Sequence, residues 1–263
     1  MRIDLSGQRA IVTGSSKGIG LAIAKGLAEA GASVLVNGRD STAVDAAVAA
    51  IRGKGGEADG VVADVGTRAG CDAVVARWPD TGVLVNNVAV IGWGAFENTS
   101  DETWLEIWET NVMSGARLSR HYLPGMIARG WGRLLFVSSE SARNVQPDLI
   151  PYGASKLALH ALSRGLARQA AGSGVTSNVV LPGPTLSDGA NGMLQPSVDA
   201  GQAASLEDAG AGFVKAYRGS SMLSRMASVD EVAAMAVYLA SPLASATTGA
   251  VLRVDGGVVE DVN

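Results

Sequence analysis

Two rhythms of apolar positions alternate along the chain. Short runs rich in β-branched residues, 10–13 and 33–37, are each followed by an Ala- and Leu-rich stretch at helical spacing, 18–30 and 41–52. Further strand-like runs fall at 60–63, 83–85, 133–137, 179–181 and 251–254, most of them separated by long helical stretches. A βαβα rhythm of this kind predicts an α/β fold: a Rossmann-type, doubly wound parallel sheet flanked by helices. The rhythm continues almost to the last residue without a Pro/Ser-rich linker or repeat, so residues 1–263 are expected to form a single domain. One stretch departs from it. Residues 185–225 are rich in Gly, Ser and Ala with only short apolar clusters, the pattern expected of an irregular, mobile lid on the substrate side.

Composition narrows the function. With 47% hydrophobic residues and a net charge of -4, the chain has ample material for a core and no concentrated basic face for nucleic acid. The single cysteine, Cys71, cannot form an intramolecular disulfide, and no run reaches the roughly 18 apolar residues of a membrane span. A protein of the cytoplasm without membrane contact is expected. His121 and His160 have no ligand-spaced carboxylates or thiols, so no metal site is expected.

The chemistry begins directly after the first strand, at Thr13-Gly14-Ser15-Ser16-Lys17-Gly18-Ile19-Gly20. Gly14 allows a tight turn, Gly18 a close backbone approach to a pyrophosphate, and Gly20 close packing of helix on strand. The helix N-terminus adds amides and a positive dipole end, so Ser15, Ser16, Lys17 and Ile19 between the glycines belong to the expected dinucleotide site. At the end of the second strand, where an NAD enzyme normally has an acid for the ribose hydroxyls, the chain reads Asn37-Gly38-Arg39. Arg39 can grip a 2′-phosphate bidentately and Lys17 supplies a second cation, which favours NADP(H). Tyr152 and Lys156, four residues apart, share one face of a predicted helix. A neighbouring ammonium and a cationic nicotinamide are expected to favour the phenolate and make Tyr152 an acid/base group.

Taken together, these motifs resemble the short-chain dehydrogenase/reductase family, including its 3-oxoacyl-acyl-carrier-protein reductase-like members, and the resemblance covers nearly the whole chain. It implies further residues. Ser139, thirteen positions before Tyr152, takes the place of the serine that holds the substrate oxygen, with Ser138 turned the other way. Asn111, expected within a long amphipathic helix, takes the place of the residue that anchors a water in the proton relay toward Lys156. Lys156 itself would also bond the nicotinamide ribose. Asp64 and Val65 resemble the adenine-holding pair, Asn87 the cofactor-side asparagine, and Pro182, Gly183 and Thr185 the segment at the nicotinamide carboxamide.

The implied activity is hydride exchange between nicotinamide and a small-molecule carbonyl or alcohol. Alternatives are an NADP(H)-binding sensor without turnover, an NAD-linked dehydrogenase of the same fold, and a hydro-lyase or epimerase. The resemblance also implies a homo-oligomer, tetramer or dimer, built on the helices around Asn111 and Tyr152 and on the C-terminal strand. An acyl carrier protein as substrate carrier stays possible, with Arg129 and Arg168 the nearest cations. Trp93, Met193 and Leu194 either line an apolar pocket or pack in the core, and Glu140 either selects a polar substrate or faces solvent.

Overall fold

The computed structural model describes residues 3–262. In chain order it runs β1 (Arg9–Val12), α1 (Gly18–Glu29), β2 (Ser33–Gly38), α2 (Ser41–Arg52), β3 (Glu57–Val62), α3 (Arg68–Arg77) and β4 (Val83–Asn86). Then come α4 (Asp101–Trp108), a π-helical turn (Glu109–Met113), α5 (Ser114–Arg129), β5 (Gly132–Val137), α6 (Ile150–Gln169) and β6 (Val175–Pro182). The last third holds β7 (Thr185–Leu186), α7 (Asp188–Asp199), α8 (Leu206–Tyr217), β8 (Ala227–Ser228), α9 (Val229–Ala240) and β9 (Val251–Val254).

Among the described residues, seven strands make one parallel sheet in the order β3-β2-β1-β4-β5-β6-β9. Period-2 alternation sends neighbouring side chains to opposite layers. Ala10, Val12, Val34, Val36, Val83, Val85, Leu135 and Val137 pack with α1, α2 and α9. Ile11, Leu35, Leu84, Leu134 and Phe136 pack with α3, α5 and α6. Burial on both faces is why these strands read as unbroken apolar runs. The chain leaves β1 in one direction along the sheet and β4 in the other, so a crevice opens at the carboxyl ends of these two strands, where such sheets hold ligands.

β3 and β6 begin three and four residues before their predicted starts, β1 and β5 one. β6 begins at Val175 because buried polar groups replace apolar ones there: Asn178 donates to Thr247 O and accepts from Ala250 N, and Ser177 bonds Ser163. β3 begins at Glu57, which accepts a bond from Ser33 of β2.

The expectation of an irregular segment at 185–225 is not met. It forms α7 and α8, capped by Ser187 and Ser205, around a small core of Leu194, Ala209, Val214 and Met226 separate from the sheet. A side-chain N-cap and a private apolar cluster suffice for helices here despite the glycines.

Candidate active site

The phosphate loop is shaped from behind. Thr13 Oγ1 accepts from the amides of Asn87 and Val88, Asn87 Nδ2 donates to Thr13 O and Gly14 O, and Asn37 Oδ1 accepts from the Gly14 amide. Gly14 and Gly18 have φ of 60° and 58°, the left-handed region that glycine enters freely. A Cβ on Gly20 would stand 2.4 Å from Gly14 O and 2.5 Å from Asn87 Nδ2, so this glycine packs on the loop itself.

In front of the loop lies a cleft of about 300 Å³, lined by Gly14, Ser16, Lys17, Gly18, Ile19 and Gly20, by Arg39, Asp64 and Val65, and by Asn87 and Ser187–Gly189. Ser15 is a correction to the expected set. Its hydroxyl donates to Val12 O and accepts from the Asn37 amide, and its own amide bonds Asn37 O, so it holds strand ends together and does not line the cleft.

The residues fit a dinucleotide carrying an extra phosphate. The N-terminus of α1 has no side-chain cap and no acid in its first turn, and the Gly18 amide already bonds an anionic oxygen, Asp188 Oδ2, at 2.6 Å. Lys17 and Arg39 are exposed on the cleft wall. Asp40, the next acid along, is turned to cap α2 through Ala43 N.

A chamber of about 390 Å³ sits beside the cleft, sharing Ser187 and Gly189 with it. Ser139, Glu140, Tyr152, Gly183, Thr185, Trp93, Met193 and Arg218 are on its wall. Tyr152 stands in the first turn of α6, where Pro151 at the second position suits a helix start. The Ser139 hydroxyl accepts from Ser141 N and lies on the same chamber wall as the Tyr152 phenol, close enough to lower its pKa, whereas Ser138 faces away and donates to Lys156 O, with His160 Nε2 at 2.9 Å.

Burial shifts both titrating groups of the Tyr152 and Lys156 pair. Burial pushes the Tyr152 phenol up to about 12, against the opposing pull of the Ser139 hydroxyl, and the Glu140 charge adds to the rise. Lys156, buried, is pulled down to about 7 by desolvation, so its charge is weakened where the phenolate would need it. Its Nζ lies 5.7 Å from the Tyr152 ring centre and donates to Val137 O at 2.8 Å, and it lines neither cavity.

Asn111 lies in the π-helical turn and not in a continuous α-helix. Such turns often mark functional sites. Its side chain bonds Val90 N and O and the Ser155 hydroxyl and does not reach the Lys156 ammonium.

Pro182 ends β6 outside both cavities, and Thr185 Oγ1 is turned to Gly183 O. The groups from this segment that reach the cofactor cleft are instead Ser187 and Asp188, which sequence reasoning missed. The N-cap signature of Ser187 was their only local signal. Glu140 does not face solvent: it is buried and paired through Oε1 to Arg218 Nε at 2.8 Å. Trp93 and Met193 line the chamber, while the buried Leu194 lines an outer cavity of about 640 Å³ that shares Trp93, Met193, Phe213 and Arg218 with it.

Comparisons with known proteins agree with this geometry. The family model described as enoyl-(acyl carrier protein) reductase matches residues 14–259. The chain is 39% identical to the uncharacterized oxidoreductase YvaG of Bacillus subtilis (strain 168) over all of both chains. The structure of L-sorbose reductase from Gluconobacter frateurii, complexed with NADPH and L-sorbose, superposes with a TM-score of 0.91 at 30% identity over all of both chains. Actinorhodin polyketide ketoreductase with NADPH gives 0.85 at 32% identity, covering 99% of this chain and 100% of that one. Among the described residues no helix is long and apolar enough to cross a membrane. With its phosphate loop at the sheet crevice and its Ser-Tyr-Lys constellation beside it, the chain belongs to the short-chain dehydrogenase/reductase family and is an NAD(P)-dependent oxidoreductase.

Proposed function

We propose that the protein is an NADP(H)-dependent reductase of small ketones or, in reverse, a dehydrogenase of secondary alcohols, with Tyr152 as its acid/base. The observation that carries this reading is that Ser139 and Tyr152 stand together on the wall of a chamber that opens beside the phosphate-loop cleft. NADP(H) held at the cleft would supply the hydride chemistry at the substrate carbon. Gly14, Ser16 to Gly20, Asp64 and Val65 would hold the dinucleotide, and Arg39 with Lys17 the 2′-phosphate. Ser139 Oγ bonds the substrate oxygen and Tyr152 gives it a proton. A phenol held near 12 is fully protonated at neutral pH, which suits donation to a carbonyl. Asn111 fixes Val90 and Ser155 beside this centre, and Lys156, bonded to Val137 O, stands with its Nζ 5.7 Å from the Tyr152 ring centre.

A free small molecule fits the chamber better than a carrier-bound one. Asp148 and Asp208 line the outer cavity, charges that repel an acidic carrier, and Arg129 is engaged with Asp80 and Thr81 O. In a homo-oligomer, the exposed Leu105 and Trp108 of α4 and Leu157 of α6 would be covered. The test is a panel of ketones, aldehydes, sugars and β-ketoacyl thioesters followed by loss of NADPH absorbance. Turnover of at least one free ketone or sugar is expected, and no NADPH consumption with any of them would overturn the reading.

A further inference from the structure

Two cavities meet at one charged side chain. The chamber beside Tyr152 and the outer cavity of about 640 Å³ share Trp93, Met193, Phe213 and Arg218, so a substrate seated at Tyr152 can extend past these four residues. Three of them are apolar, and Arg218 is the one that can recognise a polar group there. Its side chain is only 7% exposed. The guanidinium is fixed from three sides: Nε donates to Glu140 Oε1 at 2.8 Å, Nη1 donates to Tyr217 O at 2.8 Å, and Cζ lies 5.9 Å from the centre of the Phe213 ring. Nη2 is different. It has no hydrogen-bond partner among the described residues, yet it is not one of the sealed, unpartnered polar atoms, a group that includes Glu140 Oε2. The small surface that Arg218 keeps therefore includes a donor at the seam of the two cavities. A buried ion pair is unfavourable unless its remaining donors are satisfied, and a substrate oxygen would satisfy this one.

The neighbouring charges decide which kind of oxygen. Among the described residues, Glu140, Asp148, Asp208 and Arg218 are the charged side chains that line the two cavities, three carboxylates against one guanidinium. Such a space repels a carboxylate or phosphate arm and admits a neutral one. We propose that Arg218 is a specificity-determining residue that donates through Nη2 to a second, uncharged oxygen on the substrate, so that the enzyme takes ketones with an ester, amide or further carbonyl on an apolar arm. The inference rests on the carbonyl-reductase reading and deepens it. A donor already held in place loses little freedom on binding, and an alkyl ketone of equal length leaves it unpaired.

Matched sets test this: methyl acetoacetate, methyl levulinate and methyl 5-oxohexanoate, each against the alkanone of equal chain length (2-hexanone, 2-heptanone and 2-octanone) and against its own keto acid. The readouts are kcat/KM from NADPH consumption and dissociation constants from calorimetry on the NADP+ complex. At the best spacing the ester is expected to be favoured over its alkanone by about tenfold to a hundredfold, the span of one charge-assisted hydrogen bond. The keto acid should fall below the ester by severalfold at low salt and by less at high salt. Glu140→Met/Arg218→Met removes donor and counter-charge together, and the ester preference should collapse toward unity. Arg218→Lys keeps the ion pair but lacks the second arm of the fork, so the preference should shrink there even if the double variant does not fold. A pair that merely staples α8 to the sheet body would change ester and alkanone alike and leave their ratio intact. No ester preference at any spacing, a keto acid preferred over its ester, or a ratio unchanged in the variants that fold overturns the proposal. If no ketone turns over but calorimetry shows the preference and its loss in the variants, the reductase reading falls and this one stands.

Discussion

The cofactor cleft and the substrate chamber share a wall at Ser187 and Gly189 but are built differently. The cleft is held by residues close to one another at the ends of β1, β2 and β4. Thr13, Asn37 and Asn87 bond backbone groups there, so the loop stands in its shape before any ligand arrives. The chamber is assembled from side chains far apart in sequence, such as Glu140 and Arg218, and part of its wall comes from α7 and α8, which have a small core of their own. A binding site made of backbone geometry keeps its ligand class, and one made of side chains on a separately packed segment can change its ligand by substitution.

If that contrast holds, the largest effect belongs to the loop. Gly20→Ala forces a methyl to within 2.4 Å of a backbone oxygen that cannot move without the strand, so NADPH affinity should fall by about a hundredfold or more. Fluorescence titration measures it, and near-normal binding would mean that the loop is more pliant than its bonding suggests.

Next comes cofactor choice. Charge-assisted bonds of about 1.5 to 3 kcal/mol from Arg39 to a 2′-phosphate correspond to a preference for NADPH over NADH of about tenfold to a few hundredfold. Arg39→Ala should remove most of it, and high salt should reduce it in the wild type. Reversal needs an acid at position 38, where a Cβ would meet Ser16 Oγ at 2.8 Å and Ser16 Cβ at 3.0 Å. The variant to make is therefore Gly38→Asp with Arg39→Ala and Ser16→Gly, read by the ratio of the two dissociation constants.

The same contrast explains what the sequence could disclose. That Gly14, Gly18, Gly20 and Arg39 line the cleft and Ser139 and Tyr152 the chamber was legible because each sits at a fixed offset from a strand end or in the first turn of a helix. The pairing of Glu140 with Arg218, 78 residues apart, carries no local signal. α7 and α8 were illegible because Gly189, Gly192, Gly210 and Gly212 dilute their helical pattern. The inward turn of Ser15 was hidden because a buried serine that ties strand ends reads like one that faces a phosphate.

A smaller effect tests the point where the two regions touch. Asp188 puts a carboxylate on the Gly18 amide, which a pyrophosphate oxygen would have to take over. Asp188→Asn should therefore tighten NADPH binding severalfold, since one charge among screened neighbours acts on that scale. Weaker binding in this variant would show that the acid helps to hold the cofactor. The pH dependence should differ by direction. Reduction uses the protonated phenol, which persists to about 12, and should show no loss from this group between about pH 6 and 9, whereas alcohol oxidation needs the phenolate and should rise with pH over that range.

Single turnover with NADPH deuterated at the transferring C4 position, a ketone from the panel, and either wild-type protein or Tyr152→Phe addresses the central claim most directly. The account predicts deuterium on the product carbinol carbon, a rate at least about a hundredfold lower in the variant, and NADPH binding retained by it. Alcohol formed without deuterium, or a Tyr152→Phe rate close to the wild type, would contradict it.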